Sequence, residues 1–180
     1  MEAADLSYPL GPFVAPAHSD AASRALHVTD LAVLPEAVCA AVEGLGDAQL
    51  DTPYRPGGWT IRQVVHHLPD SHLNAYVRFR LALTEDVPVI RPYDEQAWAR
   101  LPDASLAPVS LSLALLASLH ARWVDAITRL PDAAFARTFT HPELGRMSLD
   151  QQLALYAWHG RHHLAHITRL TGRMGWRRSG

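Results

Sequence analysis

The sequence predicts an all-α fold: a four-helix bundle with one long crossover and an irregular N-terminal arm. Four long segments repeat apolar residues at helical spacing. Strand signals are scarce, and the connection between the second and third segments is too long for a tight turn.

The arm comes first. "MEAADLSYPLGPFVAPAHSD" carries three prolines and little periodicity, so it reads as an extended segment laid over the domain. The first helical pattern, roughly Ala22 to Leu45, sets Leu31, Leu34, Val38 and Val42 on one stripe and ends near Gly44 and Gly46. Pro35 argues that its regular part starts there, because proline is tolerated in a first turn. The second pattern begins at Trp59 and Thr60, with Thr60 as N-cap, and runs to about Glu85. The third spans roughly Val109 to Leu130, with Leu113, Leu116, Leu119, Trp123 and Ile127 recurring. The fourth opens on "SLDQ", where Ser148 and Gln151 form a capping box, and stops at Gly172. Within the long crossover a short helix is expected around Asp94 to Leu101. "PDAAFARTFTHPELGRM", between the last two helices, is expected to hold a short extended pair.

At 180 residues, 48% hydrophobic and 19% charged, the chain reads as one domain over residues 1–180, large enough to bury a core without staples. The net charge of −2, with no long basic block, argues against nucleic acid as a partner. Only the tail "RLTGRMGWRRSG" is locally basic, as suits the end of a helix. The lone Cys39 has no disulfide partner and reads as a buried small hydrophobe. No signal-like region is evident and no apolar run approaches a membrane span, so a cytoplasmic protein without a membrane partner is expected.

The chemistry-bearing stretch is "WHGRHHLAHI", Trp158 to Ile167, which holds four of the chain's eleven histidines. Residues four apart share a helix face, so His159 and His163 can converge on one ion, with His166 a turn further along and His162 displaced. Buried unpaired imidazoles are costly, and coordination would occupy one nitrogen of each. The same pair can instead hydrogen-bond carboxylates, and from this segment alone the two readings stand level. Gly160 occupies the position of the zincin glutamate, which disfavours a zinc protease and points to close helix contact beside His159. A further ligand must come from another helix. His66, His67 and His72 in "GGWTIRQVVHHLPDSH" are the candidates. Periodicity does not choose among them: the apolar stripe runs closest to His72, and Pro69 breaks its phase.

Taken in order, "YPLGPF", "DTPYRPGGWTIRQVVHHLPDSH", "RPYDEQAWARLPD", "SLHARWV" and "LYAWHGRHHLAHI" resemble the YfiT-like branch of the DinB superfamily, from about residue 8 to residue 170. The resemblance implies a four-helix bundle holding one divalent metal ion through His67, His159 and His163. It also implies a homodimer, and an activity described for the family as metal-dependent hydrolysis or, in related enzymes, bacillithiol S-transfer. Pro69 departs from the helix former expected two residues after His67; a kink there would redirect that ring. His66, His72, His162 and His166 are then supporting or packing residues, with Asp70 and Glu143 as candidate partners for a ligand ring.

Three protein ligands with an open position is the catalytic pattern, whereas four make a closed structural site. Zinc is the expected ion, with nickel next, since imidazoles suit both. Thiol transfer to a small electrophile, with bacillithiol as cosubstrate, is the expected reaction on resemblance. Hydrolysis of a small molecule is the alternative, and a metal-binding stress-response scaffold closed by His166 or His72 is the third. No catalytic base is assigned, and no nucleophile elbow is present. "PYRPGGW" either shapes a pocket entrance or merely starts the second helix, the second being the plainer reading. Tyr156, Trp158 and Arg161 are left without a role.

Overall fold

The computed structural model describes residues 6–16 and 19–176. Its long helices are α1 (Ala21–Val42), α3 (Ile61–Thr84), α6 (Val109–Thr128) and α7 (Leu149–Arg173). Short helices α2 (Asp47–Leu50), α4 (Glu95–Trp98) and α5 (Pro102–Leu106) fill the connections. A 3-10 turn (Asp132–Ala136) leads into the hairpin of β1 (Thr138–His141) and β2 (Gly145–Ser148), paired antiparallel with Thr138 opposite Ser148. The fold is the four-helix bundle that the periodicity predicts, and the extended pair lies where expected.

Local chemistry sets the helix starts. Thr60 and Ser148 each accept from the backbone N–H three residues on, while Gln63 and Gln151 return the bond to the cap. Asp20 caps α1 by accepting from Ser23 N at 2.7 Å. That cap places the start of α1 well before Pro35, which lies mid-helix rather than opening the regular part. The crossover holds two short helices, α4 and α5, where one was expected. Proline at the first position of α5 separates them. α3 continues through Pro69 to Thr84.

Each long helix packs mainly on two others: α1 on α6 and α7, α3 on the same pair. The consecutive helices α1 and α3 therefore face each other across a diagonal. Gly160 on α7 permits the α1 approach, since a Cβ there would run into the Leu34 side chain. This is the close contact that the glycine predicts. Arg161 on the outer side pairs with Asp30 of α1 at 3.1 Å, a tie between helices.

The apolar core is split in two. One cluster gathers Leu31, Ala75, Phe79, Trp123, Leu153 and Tyr156; the other gathers Leu34, Val38, Val65, Leu68, Leu116 and Ile167. Between them every long helix passes through one level, occupied on α3, α6 and α7 by His72, His120, His159 and His163. The bundle thus holds a polar slice within an apolar body, and each imidazole there requires a partner.

Three expectations are corrected. Cys39 is exposed, because Val38 and Val42 take the inward stripe and the intervening residue turns outward. By length and composition alone α1 is apolar enough to cross a membrane, although Asp30 and Glu36 interrupt its apolar run in sequence. In the bundle its Leu31, Leu34, Val38 and Val42 are packed inside. The arm is not simply extended: Gly11 N donates to Tyr8 O at 2.9 Å in a turn, and Ser7 and Pro9 carbonyls accept from His166 and Arg169 on α7. Residues 1–5 and 17–18 of the arm, and 177–180 of the basic tail, lie outside the described residues.

Candidate metal centre

The structure brings His67, His159 and His163 together and leaves the other two α3 candidates, His66 and His72, outside that group. One ring nitrogen of each lies within 4.8 Å of the others, in a group that could hold a metal ion. His67 Nε2 and His159 Nε2 face each other at 3.2 Å. Two nitrogens on one tetrahedral ion, at 2.0–2.1 Å each, stand about 3.4 Å apart. That pair already has the required edge, and a His163 ring nitrogen lies within 4.8 Å of both. Among the described residues the rings of His67, His159 and His163 have no carboxylate to pair with, so a cation is the partner their lone pairs suit. The donor set fits a divalent cation that accepts imidazole.

Burial also keeps the three rings neutral. Desolvation pushes His67 down to about 3 and holds His159 and His163 well below the ordinary imidazole value. Neighbouring imidazoles reinforce the shift for His159 and His163. Neutral rings offer lone pairs, as ligands must. Trp59 covers the group, its ring 4.7 Å from that of His67 and stacked 6.2 Å from that of His163.

The remaining histidines divide by role. His66 turns away, bonding Ser112 Oγ at 2.7 Å and the Ala107 carbonyl at 3.1 Å, and so fastens α3 to the crossover and α6. His72 lies on the far side of His159, with its Nε2 3.1 Å from His159 Nδ1. His162 stacks on Trp158 at 4.5 Å, and His166 stacks on Tyr54 at 4.0 Å. Asp70 and Glu143, expected as ring partners, bond none of the triad. Asp70 is half-buried, with burial and Asp103 raising it to about 6, and Glu143 is exposed with its backbone N–H on His141. The partner of His159 Nδ1 is His72 instead.

Two clefts reach the group. One, of about 310 Å³, is lined by Tyr54, Arg55, Trp59 and the triad itself. The other, of about 680 Å³, is lined by Ser71, Arg78, Tyr93 and Tyr156. His159 and Glu95 border both. Glu95 has its carboxyl raised by burial and by Asp94. "PYRPGGW" therefore does shape an entrance, beyond starting α3. Gly57 takes φ +68°, and a Cβ at Gly58 would meet the Arg55 side chain at 2.7 Å.

Comparison with known proteins identifies the family. A family model described as "DinB superfamily" matches residues 31–167. The chain belongs to the DinB superfamily. Among its DinB relatives, "Putative metal-dependent hydrolase YfiT" of Bacillus subtilis is 49% identical over 177 residues, covering 98% of this chain and 99% of that one. A Bacillus mycoides relative with the same description is 49% identical over 172 residues, covering 96% of this chain and 99% of its own. The solved structure of the Bacillus subtilis protein superposes with a TM-score of 0.94 over 96% of this chain and 99% of that one, at 49% identity. That DinB protein is described as having "an unusual four-helix bundle topology".

Residues that sequence reasoning did not single out are His120 and Glu95. His120 sits within "SLHARWV", where its place on the inward stripe beside Leu116, Leu119 and Trp123 was the available signal.

Proposed function

We propose that this chain is a metal-dependent enzyme in which His67, His159 and His163 hold one divalent cation, zinc by default and nickel next. It transfers a low-molecular-weight thiol of the bacillithiol kind to an electrophilic small molecule. One observation carries the reading: two separate clefts meet at His159, giving a thiol and an acceptor their own approaches to one centre.

When bound, a divalent cation supplies Lewis acidity strong enough to ionise a thiol outright, and a water near neutral pH. Three neutral imidazoles leave that charge uncompensated, unlike thiolate or carboxylate donors. Trp59 excludes water from the face it covers. Glu95, between the clefts and with a raised carboxyl, can hold or release a proton for a leaving group. No carboxylate among the described residues hydrogen-bonds a triad ring. That favours a nucleophile needing no protein base.

Hydrolysis of a small molecule is the second reading, favoured by the names of the Bacillus relatives. The two separate by assay. Zinc-loaded protein is incubated with bacillithiol and monobromobimane, and in parallel with a panel of esters and amides. Conjugation above the metal-free control supports transfer; cleavage without conjugation moves the function to hydrolase; inactivity in both, with four protein ligands by X-ray absorption, leaves a scaffold. The reading also takes the chain as one domain acting in the cytoplasm as a homodimer, which sedimentation equilibrium checks.

A further inference from the structure

Beyond the triad, four groups stand in a line that crosses the whole bundle. The Leu31 carbonyl on α1 lies 2.6 Å from His120 Nδ1 on α6. His120 Nε2 lies 2.9 Å from His72 Nδ1 on α3. His72 Nε2 lies 3.1 Å from His159 Nδ1 on α7. Each long helix contributes one member, and His72 and His120 are 0% and 1% exposed.

The origin of the line is visible in the sequence. In an α-helix the Leu31 carbonyl would accept from the N–H of residue 35, and residue 35 is proline. Pro35 has no N–H to give. The carbonyl it frees is buried at the level of the polar slice, where His120 takes it up.

A carbonyl only accepts, so His120 must carry its proton on Nδ1. A neutral imidazole has one N–H, which makes His120 Nε2 an acceptor and requires His72 to donate from Nδ1. The same step repeats once more: His72 Nε2 accepts, and His159 donates from Nδ1. His159 Nε2 is then left with a bare lone pair, at the atom facing His67. Among the described residues no carboxylate bonds any ring of the series, so nothing described along it reverses the direction.

We propose that the Leu31 carbonyl, freed by Pro35, fixes the tautomers of His120, His72 and His159 in series and thereby presents the His159 Nε2 lone pair to the cation. His72 and His120 are positioning residues. Their role rests on the metal-binding reading above, whereas the tautomer order itself does not need a metal.

The test has two independent parts. In metal-free, uniformly ¹⁵N-labelled protein at neutral pH, long-range ¹H–¹⁵N correlation spectra report which ring nitrogen is protonated. Nδ1–H with bare Nε2 is expected for all three rings; an Nε2–H tautomer in any of them overturns the proposal. Zinc affinity is then measured by chelator competition. His120→Leu, which removes the acceptor for His72, weakens zinc binding by about 10–100-fold. His120→Gln, whose amide oxygen still accepts from His72 Nδ1, retains most of the affinity. Equal loss in both variants, or no loss in His120→Leu, refutes the relay. Circular dichroism monitors folding, and if His120→Leu does not fold the spectra of the wild-type protein decide alone. Wild-type protein that takes up no zinc yet shows the three Nδ1–H rings would sink the metal reading and keep the tautomer series.

Discussion

Acidification probes the polar slice as a whole. His67 is pushed down to about 3, and His72, His159 and His163 are held well below the ordinary value of 6.5, burial being the leading cause for each. In the unfolded chain all four titrate near 6.5. Below that pH the unfolded state binds protons that the folded state refuses, so stability is present above the unfolded value and is lost as pH falls. Each ring contributes about 1.4 kcal/mol per pH unit below 6.5. Moving from pH 7.5 to 5.5 therefore costs metal-free protein at most about 5 kcal/mol over the four rings. That is comparable with the entire stability of many domains, about 5–15 kcal/mol. Urea denaturation followed by circular dichroism at the two pH values measures it. A change of less than about 1 kcal/mol would refute the burial argument, because it would mean the rings take up protons in the folded state. Zinc at about 100 times its dissociation constant should add about 2.7 kcal/mol at pH 7.5.

His163→Ala should abolish stoichiometric zinc uptake while circular dichroism shows most helicity retained; unchanged metal content would reject the triad. Arg62→Met removes a buried guanidinium bonded to Asp51 at 2.6 Å and Asp47 at 2.7 Å. Both acids are exposed enough to rehydrate, so the loss is about 1–2 kcal/mol rather than the larger figure for stranding a buried charge, as urea unfolding would show. Asp70→Asn should stabilise the fold at pH 7.5, since burial and Asp103 raise that carboxyl to about 6 and its ionised form is disfavoured in the folded state. Partial solvent contact holds the gain to about 1 kcal/mol, and the gain should vanish below about pH 4, where both states are protonated.

Much of the fold was legible in residues close in sequence. The caps at Thr60 and Ser148 mark where α3 and α7 begin, and apolar spacing places α6 within a residue or two. The i, i+4 spacing of His159 and His163 put two proposed ligands on one face before any packing was known. Where the reading slipped, a non-local fact decided. Pro35 suggested a helix start because in isolation proline is best placed in a first turn, yet the Asp20 cap and the packing of Leu31 against the core hold a full turn of helix on both sides of it. Cys39 was read from an apolar neighbourhood that belongs to Val38 and Val42 alone.

The sequence by itself determined an all-α bundle, a histidine pair on its last helix, and a second source of ligands on the helix that holds His66, His67 and His72. Only the tertiary structure chose among those three from the chain's own geometry. α3 is buried nearly all round over Ile61–Leu68, because α4 and α5 cover the side that the bundle leaves open, so no helical stripe distinguishes a core-facing ring from a site-facing one. The line from the Leu31 carbonyl through His120 and His72 to His159 was likewise invisible in sequence. Its four members are far apart in the chain, and hydrogen-bond distance between them exists only once four helices have packed at one level. Helical period is a property of neighbours along a backbone; convergence is a property of how separate backbones are packed.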